Sequence, residues 1–208
     1  MSDESHPDRT ASPAAGTASS RPPSSGVDAG TFGMYLLLAA LGMLFAASLV
    51  GYWVIRSQHQ PWPPPGFPRL PGSLWISTLV ILLASVTIQR AVSAARLGAV
   101  AMLRSQLLMT LLLGLVFIGL QTWAWFQVWQ QLRAAATAAG PYQKLFYVLT
   151  GLHAVHVLGG LAPLAVTVRR AFAGAYVPSN HPGVRYCAMY WHFLDGVWCV
   201  LFAAVCLV

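Results

Sequence analysis

The chain has 208 residues, of which 57% are hydrophobic and 8% charged, and it carries a net charge of +7. A water-soluble domain holds about three times that charge density, so the composition excludes an ordinary soluble enzyme and predicts an integral membrane protein. The positive balance comes mostly from arginines between apolar runs, a pattern that speaks of membrane topology and anionic headgroups and not of nucleic acid.

Residues 1–30 are rich in Ser, Pro, Ala, Gly and Thr and mix charges of both signs. Such a stretch cannot bury enough apolar surface to order itself, and it is expected to be a disordered tail. It lacks the basic and apolar layout of a cleaved secretory signal, so the first apolar span is expected to serve as the insertion signal and to remain.

Residues 31–208 are expected to form an all-α membrane domain of five transmembrane helices. The spans are placed at Phe32–Ile55, Leu74–Ala95, Ser105–Trp129, Tyr142–Val168 and Tyr186–Val208. Each is near the ~20 residues needed to cross a hydrocarbon core about 30 Å thick. Strand-like alternation is absent, and in lipid the backbone must then be satisfied within helices.

The first connection, QHQPWPPPGFPRLPG, holds too many prolines for a helix and should run extended as a strap. Later connections are short enough to make consecutive helices antiparallel neighbours, with room for an excursion over Gly174–Gly183. Arg90, Arg96, Arg104, Arg169, Arg170 and Arg185 fall on the side of the N-terminus, which predicts a cytoplasmic N-terminus and an external C-terminus. Tyr52, Trp53, Trp62, Trp123, Trp125 and Trp129 suit an interfacial aromatic belt on the other side.

Beyond Asp28 the chain holds a single carboxylate, Asp195, within YWHFLDGVWCVLFAAVCLV. Ionisable groups at membrane depth are disfavoured by a few kcal/mol or more, so they usually face inward and are paired. His192 and Asp195 share a face of the last helix, and TGLHAVHVLGG places His153 and His156 one turn apart on the fourth. Their depths nearly match. We therefore expect an interhelical clasp of His153, His156, His192 and Asp195, with Asp195 accepting from a histidine of the fourth helix. Gly159 and Gly160 read as packing glycines, and Tyr190, Trp191 and Trp198 as packing or lipid-facing anchors.

Catalytic and metal readings are weaker. Histidines at i and i+3 cannot supply both axial ligands of one haem, and a di-iron site needs several carboxylates. Imidazoles suit copper or zinc, but the set is incomplete, and a proton relay would need titratable groups that the first and third helices lack. Cys187, Cys199 and Cys206 lack metal-site spacing and read as small buried residues, while Gln89 and Arg90 read as interfacial.

The motif Tyr190–Trp198, YWHFLDGVW, resembles the YWHFxDxVW signature of subunit III of the haem-copper respiratory oxidases, the family of cytochrome c and quinol oxidases. Thr150–Gly160 resembles the TGxHxxHVxxG pattern of that family's penultimate helix. Weaker echoes occur in GMYLLLAALGMLFAA from Gly33, WPPPGFPRLP from Trp62 and TLLLGLVFIGLQTW from Thr110, so the resemblance covers residues 33–208.

The resemblance implies the short, five-helix form of a subunit without catalytic or redox centres. Haem and copper would reside in partner subunits, oxidase subunit I and also subunit II. This chain would stabilise the catalytic subunit and bind membrane phospholipid in a cleft between helix groups. The complex would reduce oxygen in aerobic electron transport coupled to proton translocation. Two family glutamates are replaced, by Leu41 and by Ala124, so roles tied to them do not carry over. An accessory protein of a nitric oxide reductase is an alternative, as is a small proton or ion transporter.

Overall fold

The computed structural model describes residues 29–59, 61–62, 72–134 and 140–207. The tail expected over residues 1–30 falls outside this range except for Ala29 and Gly30, and most of the proline strap lies outside it also. The elements are α1 (Ala29–Gln58), α2 (Ser73–Arg96), α3 (Val100–Ala134), α4 (Pro141–Phe172) and α5 (Pro182–Phe202), the last continued by a π-helical turn at Ala203–Leu207. All five helices are long and apolar enough to cross a membrane. Among the described residues the only extended pairing is one isolated bridge, Val177 with Asn180.

The ends follow from local chemistry. Both α4 and α5 start on a proline, whose missing N–H would have no intrahelical acceptor there in any case. Two glycines end helices in the left-handed region, Gly98 at φ 68° and Gly174 at φ 74°. Each lets the next amide fold back, Ala99 N–H to Ala94 O and Ala175 N–H to Arg170 O, both at 3.0 Å. Those two turns lie together, because a Cβ on Gly98 would come within 3.1 Å of the Pro178 ring. The α4–α5 connection is thus a folded excursion, as its composition suggests.

Helix α3 has 35 residues, about 52 Å at 1.5 Å each, and so extends well beyond the hydrocarbon core. It pairs along much of its length with α2 and also packs on α4, while α5 is held by both α2 and α4. Phe117, Leu107, Ile81, Ile88, Leu164 and Trp198, all at most 1% exposed, form the centre of this four-helix core. Arg104 of α3 joins it to the end of α4, donating to the carbonyls of Ala171 at 3.0 Å and Phe172 at 3.2 Å.

Helix α1 is different. It packs chiefly on α4 and α5, and its buried side chains are Phe45 and Tyr52. One end is tied by Arg185 of α5, which donates to the Thr31 hydroxyl, with Tyr186 alongside. At the other end the Tyr52 hydroxyl donates to Ala204 O at 2.9 Å and accepts from Trp62 Nε1 at 3.1 Å. Ala204 belongs to the π turn, and there Tyr142 of α4 also donates to Val205 O at 3.4 Å. A π turn displaces the regular i to i−4 pairing, and two tyrosine hydroxyls meet the carbonyls it presents.

Candidate functional site

Helix α5 sorts its side chains among three neighbours. Trp191 faces α3 and α4, its ring set so close over Gly114 that a Cβ there would lie 2.8 Å from it. One turn and three residues later Trp198 meets Phe117 of α3 and His153 of α4 at ring separations of 5.1 and 5.2 Å. Its indole N–H donates to Thr78 of α2 at 3.0 Å. Both tryptophans are therefore core packing residues, not lipid-facing ones.

The stripe carrying His192 and Asp195 turns toward α2. His192 Nδ1 lies 2.7 Å from Ser85 Oγ, and its Nε2 lies 3.2 Å from Gln89 Oε1. A carboxamide oxygen only accepts, so Nε2 carries the proton of that contact. Gln89, expected at the interface, is exposed and takes part in this interhelical bond.

The clasp expected between α4 and α5 does not form as a unit. Neither Asp195 oxygen has a hydrogen-bond partner among the described residues, although Ser85 lies beside the carboxyl. Both nitrogens of the fully buried His153 are likewise unbonded, inside a box of Phe45, Phe117 and Trp198 rings. The near-perpendicular Phe117 and His153 planes suit a weak N–H to ring contact. The reason is rotational: His153 meets the Trp198 stripe of α5, whereas Asp195 lies on the stripe that faces α2.

His156 points elsewhere. Its Nδ1 bonds the Leu152 carbonyl at 2.8 Å, which leaves Nε2 as the lone-pair nitrogen. It lines a cleft of about 630 Å³ between α1, α4 and α5, together with Leu41, Gly159, Pro163 and Tyr190. Pro163 stands inside α4 and cannot donate to the Gly159 carbonyl one turn earlier. The cleft is chiefly apolar, with Arg170 and Tyr176 among its lining groups. Tyr190 holds its edge, donating to His156 O at 3.0 Å while its ring covers Gly160, where a Cβ would come within 2.7 Å. The two glycines thus differ: Gly160 is a packing glycine, and Gly159 is exposed in the cleft.

Leu41 and Ala124, where the resemblance would place family acids, are apolar in different settings. Leu41 lines the cleft, whereas Ala124 is fully buried. Of the cysteines, Cys187 is half-buried against Thr167 at 3.2 Å, but Cys199 is exposed on α5, contrary to the expectation of burial. Among the described residues no three His, Cys, Asp or Glu side chains converge as metal ligands would. Sequence reasoning missed Ser85, whose spacing of four from Gln89 on α2 places both on one face.

The sequence matches a known family. The sequence model of the family described as Cytochrome c oxidase subunit III matches residues 24–207. The chain is 33% identical over 179 residues to cytochrome c oxidase subunit 3 of Synechocystis sp., covering 84% of this chain and 73% of that one. It is 31% identical to cytochrome c oxidase subunit 3 of Thermostichus vulcanus, covering 82% and 83%, and 32% identical to a probable cytochrome c oxidase subunit 3 of Nocardia farcinica, covering 83% and 85%. An all-α bundle of membrane-spanning helices with both histidine motifs in place and a family match over nearly its whole length belongs to the cytochrome c oxidase subunit III family.

Proposed function

We propose that this chain is the redox-free subunit III of a prokaryotic haem-copper oxidase, that it stabilises the catalytic subunit, and that it keeps a phospholipid chain in the cleft between α1, α4 and α5. Haem and copper reside in subunits I and II, and the N-terminus is cytoplasmic. The observation that carries the reading is the cleft itself: about 630 Å³ of chiefly apolar space, open between helices that are otherwise pinned together at both ends. That volume suits an acyl segment, and the Arg170 guanidinium and Tyr176 hydroxyl offer donors to a phosphate. Arg169 and Arg170 lie in the last turn of α4 and Arg96 in the last turn of α2, the positive side expected in the cytoplasm.

Affinity purification of this chain from native membranes tests the whole reading. Subunits I and II with haem and copper should co-purify, and extracted lipid should include tightly held phospholipid. Gly159→Phe fills the cleft, since a Cβ there has open space but for Tyr190 Oη at 3.9 Å. It should lower the bound phospholipid while leaving helix content unchanged. Recovery of the chain without oxidase subunits, or vesicle transport by the purified chain alone, would refute the assignment.

A further inference from the structure

The α2–α5 seam holds polar groups that the bundle does not enclose. Gln89 is seven residues from the end of α2 and His192 ten from the start of α5, roughly 10 and 15 Å along their helices. Both depths lie inside a hydrocarbon core about 30 Å thick. Yet Gln89 is exposed and His192 only half-buried. The Gln89 oxygen accepts from His192, and among the described residues the Gln89 amide nitrogen has no acceptor. Its N–H donors therefore face outward at a depth where lipid offers nothing to bond.

We infer that the α2–α5 seam around Gln89 and His192 is the docking face for a transmembrane helix of another oxidase subunit, one presenting a hydrogen-bond acceptor side chain to the Gln89 amide. This rests on the subunit reading above and names its contact surface. An acceptor such as Ser, Thr, Asn or a carboxyl would complete a chain running from the partner through Gln89 and His192 to Ser85. Relief of stranded polar groups is among the few forces that drive helices together in a solvent as apolar as themselves. The surface beside it permits close approach: Gly196 and Cys199 are exposed on α5, and a Cβ on Gly196 would meet nothing within 4 Å.

The intact complex, purified from native membranes, carries the test. Benzoylphenylalanine introduced in place of Cys199 should, on irradiation, form an adduct with a transmembrane helix of another oxidase subunit, within about one turn of an acceptor side chain. Adducts only with lipid, or with a second copy of this chain, would overturn the inference and leave the subunit assignment standing. Absence of every oxidase subunit from the preparation would overturn both. Gln89→Leu should reduce the co-purified partner at least about fivefold, while the isolated chain keeps its helix content and melts only slightly lower, by the one lost bond to His192. Full recovery of the partner with Gln89→Leu would also overturn it.

Discussion

Tyr190 and Trp191 are sequence neighbours, and they mark two unlike regions of the molecule. Trp191 is pressed between α3 and α4, 2% exposed, over a glycine where a methyl group would force its neighbours to shift. Tyr190 bonds α4 as well, but its other side borders the open cleft under α1. In the four-helix core formed by α2 to α5, aromatic rings interlock, and the Trp125 and Trp198 indoles donate to the Thr150 and Thr78 hydroxyls, while that of Trp191 has no partner among the described residues. Along α1 the attachment is by its two ends, with Phe45 between. A helix held this way leaves space that packing does not fill. The core therefore sets stability, and the α1 side leaves an unfilled cleft.

The largest expected effect comes from emptying the core. Phe117 is fully buried and touches both Trp198 and His153. Phe117→Ala should lower stability by about 3–5 kcal/mol, as other large-to-small aromatic changes do, read as a fall in thermal midpoint in detergent. An equal loss from Met43→Ala on α1, where the side chain is 69% exposed, would erase the contrast between the two regions.

Overfilling the core should come next. At Gly114 an added Cβ would lie 2.8 Å from both the Leu161 side chain and the Trp191 ring. Those rings and methyls can give by small shifts, so Gly114→Ala should cost about 1–3 kcal/mol. The same change at Gly119, where a Cβ meets nothing within 4 Å, should be near neutral or slightly favourable. Comparing the two variants by melting temperature checks whether the tightness is local to the α3–α4–α5 crossing.

Much of this was legible beforehand. Apolar length located five helices within a few residues, because hydrocarbon thickness leaves little freedom. Two histidine-containing motifs identified the family. What sequence could not supply was the rotation of α5 about its axis. His192 and Asp195 are visible as one stripe, but whether it faces α4 or α2 depends on how Trp191 and Trp198 pack, and that depends on Gly114 and Phe117 of α3. The cleft was equally hidden, since it is defined by where α1 fails to pack. Cys199 illustrates the same point: residue type predicted burial, and the helix rotation exposed it.

At the far end of α1 a smaller effect is expected. Tyr52→Phe removes one bond to Ala204 O and the acceptor of Trp62 Nε1 while keeping the buried ring. A loss of about 1 kcal/mol follows from typical hydrogen-bond contributions. Faster hydrogen exchange should appear at the end of α1 and at the π turn, and not in α3. Uniform loosening would mean that α1 is integral to the core after all.

The smallest effect should come from Asp195, the residue that looks most consequential in the sequence. If its carboxyl held donors from α4, Asp195→Asn would keep an acceptor and Asp195→Leu would strand those donors, separating the two variants by about 1–3 kcal/mol. The structure gives the carboxyl no bonded donor, and the histidines of α4 are occupied with rings or with their own helix. An unpaired buried acid can be replaced by an apolar side chain of similar volume at little loss. Asp195→Asn and Asp195→Leu should therefore melt within about 1 kcal/mol of each other in the isolated chain, and a markedly less stable Leu variant would restore the clasp between α4 and α5.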